Sequence, residues 1–130
     1  MIYILIFLMN CTFFNSNEEY IEKAYYDNGN IKYKIEKKGD KIHGLAKYWD
    51  DNAMLINEVE YYNGTLHGFW KEYYKNGNLR YYISYKNGLK DGYEFWYYEN
   101  GQKKTETLYI QGEKQLDTIR WYDDGDLIYK

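Results

Sequence analysis

"YYKNGNLRYYISYKNGLKDG", Tyr73 to Gly92, carries two Asn-Gly pairs, two aromatic runs and no proline. Asn-Gly between strand-forming residues is a strong hairpin signal, because a type I′ turn needs positive φ at both central residues and these two types tolerate it. The stretch therefore predicts strand, turn, strand, turn. Counted in steps of 24 residues from Gly77, the chain shows Gly29, Ala53, Gly101 and Gly125, preceded by Asn28, Asn52, Asn100 and Asp124. The same step from Gly92 gives Gly68 and Gly44, and a second series holds Gly64, Gly88 and Gly112. Apart from Ala53, all these positions are expected to be structural turn glycines.

Aromatic residues keep the period at Tyr25, Trp49, Tyr73, Tyr97 and Trp121, and again at Tyr61, Tyr85 and Tyr109. Apolar sites recur at Ile31, Leu55, Leu79 and Leu127, then four residues later at Ile35, Val59 and Ile83. Self-similarity at a fixed step marks a repeat architecture. The segments between turns alternate in polarity, as half-buried antiparallel strands require. After the turn at Gly77, alternation puts Leu79, Tyr81, Ile83 and Tyr85 opposite Arg80, Tyr82, Ser84 and Lys86. No segment shows a helical stripe.

The expected fold is all-β, an elongated single-sheet antiparallel meander of 24-residue hairpins. About nine strands would span roughly 40 Å, with large aromatics covering a sheet that has no second layer. The repeat domain is read as residues 25–130, in units of about 20–43, 44–67, 68–91, 92–115 and 116–130. The last unit departs from the pattern, with Leu116 at the glycine position and Lys103, Thr105 and Thr107 on the formerly apolar face, which suits a capping end. At Ala53, the preceding Asn52 is expected to take the left-handed conformation.

With 17 Lys and Arg against 20 Asp and Glu, the chain lacks the basic footprint of a nucleic-acid binder. Cys11, the sole cysteine, excludes an internal disulfide and a cysteine-rich zinc site. It follows an apolar run, Ile2 to Met9, with the length of a signal-peptide core rather than of a membrane span. "LMNC", Leu8 to Cys11, resembles a bacterial lipobox and makes Cys11 a lipidation candidate, although Asn10 replaces the usual small residue and no Lys or Arg precedes Lys23. Residues 1–14 are thus read as a signal or lipoprotein segment, with an end-capping strand as the alternative, and 15–24 as a tether or first-strand entry. The export reading puts the protein at the cell envelope, lipid-anchored or secreted; the end-cap reading leaves it in the cytoplasm.

His43 and His67 occupy equivalent places before periodic glycines, but Asp91 and Gln115 in the same place point to a polar turn site rather than a metal. Glu58 and Glu60 share a strand face and read as a solvated pair. No phosphate-binding glycine loop or kinase signature occurs. Catalytic, cofactor and metal residues are therefore assigned as none. The remaining candidate is a binding face of Tyr48, Trp70, Tyr74, Trp96, Tyr98 and Tyr122, which alternation places together and which exceeds what covering the sheet requires.

"NGTLHGFWKEYYKNGNL", Asn63 to Leu79, resembles the MORN-repeat variant of many bacterial proteins, and "KNGLKDGYEFWYYENGQ", Lys86 to Gln102, fits the same pattern. The resemblance implies a repetitive β-hairpin fold and a non-enzymatic interaction role. Some relatives are named as antitoxins of toxin–antitoxin pairs; others occur where membrane contact has been credited to the repeat. The expected function is a scaffold for an unidentified protein partner, with homodimerisation through an edge or aromatic face open. The alternatives are an antitoxin-like inhibitor in the cytosol and a membrane-lipid or cell-wall binding module, and any membrane contact would be peripheral or through the lipid anchor.

Overall fold

The computed structural model describes residues 17–128. The apolar run at Ile2–Met9 and the lipidation candidate Cys11 lie outside the described residues. Within them the protein is all-β, one open antiparallel sheet of 11 strands in chain order. Its strands are β1 (Glu19–Tyr25), β2 (Ile31–Lys38), β3 (Lys41–Trp49), β4 (Leu55–Tyr62), β5 (Thr65–Tyr73), β6 (Leu79–Lys86), β8 (Gly92–Tyr97) and β9 (Lys103–Ile110), with short pieces β7 (Leu89–Lys90), β10 (Glu113–Lys114) and β11 (Ile119–Arg120). β7 pairs with β6, while β10 and β11 both pair with β9. This is the hairpin meander that the repeat predicts.

The Asn-Gly pairs make two different turns. At Asn63-Gly64 and Asn87-Gly88 both residues have positive φ, the two-residue turn expected from the sequence. At Asn28-Gly29, Asn76-Gly77 and Asn100-Gly101 only the glycine does. There the Gly29 amide donates to Tyr26 O and the Tyr26 amide to Asn30 O, a three-residue loop ending in a left-handed residue. The asparagine serves through its side chain instead: Asn28 Oδ1 accepts from the Asn30 amide while its Nδ2 reaches Asp51 O in the next hairpin at 2.6 Å. Ala53 itself takes the left-handed conformation, at φ 63°, so the expected role of Asn52 is corrected. Asp50 Oδ1 steadies that loop by accepting from the Asn52 and Met54 amides.

Gly44, Gly68 and Gly92 lie in strands rather than in turns, a second departure from expectation. Each has positive φ where the strand bulges against its predecessor. A carboxylate fills the bulge: Glu36 accepts from the Leu45 amide at 2.9 Å and Glu60 from the Phe69 amide at 3.3 Å. Ser84 stands at the third copy, bonded to Asp91 O.

A further register shift where strands leave the three-residue loops overturns the simple alternation. Tyr73 pairs with Leu79, and Glu72 with Tyr81, so Leu79 shares the face of Tyr73 and not of Tyr81. Likewise Tyr97 pairs with Lys103, whose ammonium lies 4.7 Å from the Phe95 ring and 5.2 Å from Trp121, on the face opposite Thr105 and Thr107. The bulge residue moves one place along the strand without changing the rest of the pattern.

Most of the core lies in one transverse row, with Tyr81 in the row beside it. Glu22, Ile35, Ala46, Val59, Trp70 and Ile83 oppose one another across successive strands. Ala46 and Ile83 are 0% exposed and Val59 4%, on the face termed inner below. Such burial in a single layer requires cover from flanking side chains, and the pairing puts Trp70 opposite Ile83 with Tyr81 and Tyr85 beside it. Full burial of one such aliphatic side chain stabilises by about 1.5–3 kcal/mol.

Candidate functional site

Next to the core, a second row crosses the whole sheet on the inner face: Ala24, Tyr33, Tyr48, Asn57, Glu72, Tyr81, Trp96, Thr105 and Arg120, each opposite the next. Antiparallel pairing brings a residue from each of nine strands, all but β7 and β10, into one band, because facing residues share a side of the sheet. Tyr33 and Tyr48 pack as tilted rings with centroids 6.3 Å apart, and Tyr81 and Trp96 do so at 4.5 Å. Arg80 places its guanidinium 5.8 Å from the Trp96 ring and 3.7 Å from Glu72. Two polar atoms here are buried without a partner, the acceptor Asn57 Oδ1 and the donor Trp70 Nε1.

Toward the C-terminal end the inner face turns polar and opens into a trough of about 450 Å³ lined by Glu94, Trp96, Thr105, Thr107, Tyr109 and Thr118, among others. Tyr81 donates its hydroxyl to Glu94 at 2.9 Å, and Lys90 pairs with the same carboxylate. Burial, reinforced by Glu94, pushes the Tyr81 phenol far above the usual tyrosine range. Thr107 and Thr118 are hydrogen-bonded at 2.9 Å. The arrangement offers rings, hydroxyls and both charges to a ligand.

Of the predicted binding face, Tyr48, Trp70 and Trp96 lie together on the inner face. Tyr74 and Tyr98 are elsewhere, just past the ends of β5 and β8, where each donates its hydroxyl to a carbonyl of the next hairpin: Tyr97 O and Trp121 O, both at 2.8 Å. Tyr26 does the same to Trp49 O. These three rings are rungs that tie successive hairpins. Tyr122 occupies the next rung position and is 54% exposed. Sequence reasoning missed Tyr33, Asn57, Glu72 and Tyr81 as members of the band, because their membership depends on cross-strand register, which the bulges at the loop ends shift.

His43 and His67 bond Asn63 Oδ1 and Asn87 Oδ1 through Nδ1, at 2.9 and 3.3 Å, and pack on either side of the Tyr62 ring at centroid distances of 5.0 and 6.0 Å. They serve the two-residue turns. Among the described residues no group of three or more His, Cys, Asp or Glu is placed to hold a metal. Glu58 is not the solvated carboxylate expected: it is buried, 2.6 Å from Lys47 Nζ and 2.7 Å from the Tyr73 hydroxyl. Burial opposes its ionisation, but Lys47 and Tyr73 outweigh that and hold its carboxyl below the usual range.

No curated protein sequence matches the chain. The family comparison selects hairpins: the matched segments enclose the turns at Gly29, Gly77 and Gly101, and β3–β4, the hairpin with Asp50 and Ala53, falls outside them. MORN repeats are in general protein- or membrane-binding modules and non-catalytic scaffolds. Residues 19–36, 66–87 and 90–111, in three of the hairpins, match the MORN repeat variant.

Proposed function

We propose that this protein is a non-catalytic repeat scaffold that binds a protein partner across the inner-face band, and that it is held at the cell envelope by a lipid on Cys11. The observation that carries the binding reading is the row from Tyr33 to Trp96, in which Tyr, Trp and an Arg80 guanidinium are held at fixed spacing by the sheet. These are the residue types that dominate binding energy at protein interfaces. A rigid strand scaffold also lowers the ordering cost of presenting them. The envelope reading is supported by the run Ile2–Met9 ahead of Leu-Met-Asn-Cys.

Affinity capture with the wild-type chain, compared with Tyr48→Ala and Trp96→Ala, tests the binding reading, with Tyr62→Ala as a control outside the band. Capture of the same protein by wild type and control, lost in both band variants, supports it. Equal capture by all four refutes it. Palmitate labelling that vanishes in Cys11→Ala tests the anchor.

A further inference from the structure

The rungs that tie one hairpin to the next are interrupted once. Tyr26, Tyr74 and Tyr98 donate to Trp49 O, Tyr97 O and Trp121 O, each 23 residues ahead. The residue that should reach Tyr73 O is Asp50, whose carboxylate is turned into its own loop. The asparagine rungs stop at the same place. Asn28, Asn76 and Asn100 donate to Asp51 O, Glu99 O and Asp123 O, whereas Asn52 Nδ2 turns to Asp51 Oδ1 and leaves Lys75 O without that bond.

The backbone of the loop is nevertheless that of its siblings: the Asp50 amide donates to Met54 O and the Ala53 amide to Asp50 O, as Tyr26 and Gly29 do with Asn30 and Tyr26. Only the side chains differ. The result is a cleft of about 280 Å³ lined by Met54, Leu55, Ile56, Tyr73 and Tyr74 together with Asp50 and Lys75. Met54 and Ile56 are 39% and 41% exposed, and they stand where the three matched hairpins carry Asn30 and Lys32, Asn78 and Arg80, or Gln102 and Lys104. The place that lacks its ring is also the place where the flanking residues have become apolar.

The geometry points to this cleft as a receptor for the phenol ring of a tyrosine carried by a protein partner, which packs on Met54 and Ile56 and donates its hydroxyl to Tyr73 O. The occupant's chemistry is read from the three filled copies of the position within this chain. The cleft lies at the turn edge of the sheet, apart from the inner-face band, and stands or falls independently of it.

Amide NMR of the full chain tests the assignment with N-acetyltyrosinamide and N-acetylphenylalaninamide as probes. The expected result is saturable shifts at residues 50–56 and 73–75 with the tyrosine probe, several-fold weaker with the phenylalanine probe for want of one hydrogen bond. In Asp50→Tyr the chain fills its own cleft, so those shifts should be lost while the spectrum stays folded. Asp50→Asn, which keeps the cleft open, should retain them. Absent shifts in wild type, equal response to both probes, or unchanged binding in Asp50→Tyr would each overturn the proposal. Shifts of these same amides with protein concentration alone would give the cleft to a second copy and overturn it too.

Discussion

Two glycines of one hairpin separate backbone strain from steric crowding. Gly68 and Gly77 have φ of +106° and +85°. A Cβ at Gly77 would meet nothing within 4 Å, so Gly77→Ala carries the left-handed backbone cost alone, about 1–2 kcal/mol. Ala53 occupies the equivalent place in the preceding hairpin, which shows that alanine is accommodated there. A Cβ at Gly68 would lie 2.7 Å from Glu60 Cδ and 2.9 Å from its Cβ. The carboxylate would have to leave the Phe69 amide, and a hydrogen bond to a charged group is worth about 1.5–3 kcal/mol. Gly68→Ala should therefore cost about 2.5–5 kcal/mol in all. In urea, with a slope of about 1–3 kcal/mol per molar, its midpoint should fall at least twice as far as that of Gly77→Ala. Adding Glu60→Ala to Gly68→Ala should recover part of the loss, with a coupling of about 1 kcal/mol or more in the double-mutant cycle. Equal losses at Gly68 and Gly77, or no coupling to Glu60, would refute the idea that the carboxylate fills the bulge.

Three further outcomes follow from the same contacts. Ile83→Ala, at the fully buried centre of the core row, should cost about 2–5 kcal/mol by chemical denaturation. Tyr74→Phe removes the bond to Tyr97 O and should cost about 0.5–1.5 kcal/mol, with faster amide exchange concentrated in the loop at residues 98–102. Glu58 has a folded pKa below its unfolded one, so its contribution is present above the unfolded carboxylate range and disappears as pH falls through the folded value. Acid titration of stability should accordingly be shallower in Glu58→Gln than in wild type below about pH 4.5; parallel curves would remove Glu58 from the account.

The hairpin period, the all-β meander and the transverse apolar row were legible because turn chemistry and a step of 24 residues repeat in the sequence itself. Face membership beside the loops was not. Leu79 and Lys103 look like partners of Tyr81 and Thr105 by alternation, and a bulge that depends on loop geometry puts them on the other side. The candidate site divided along the same line. Tyr48, Trp70 and Trp96 sit inside strands where alternation holds, while Tyr74 and Tyr98 sit one residue beyond a strand end, where a ring points along the stack to a neighbouring carbonyl. No local pattern marks Asp50 as a missing rung; only alignment of the chain with itself does, and then only once the rung's bond is known.

Because each tyrosine and asparagine rung reaches one hairpin forward and no further, a load applied between the two ends of the sheet would meet its resistance one seam at a time. The chain would pay out in increments of a single 24-residue hairpin, each releasing roughly 80 Å of extended polypeptide. The seam after Asp50, which lacks its rung, would open at the lowest force.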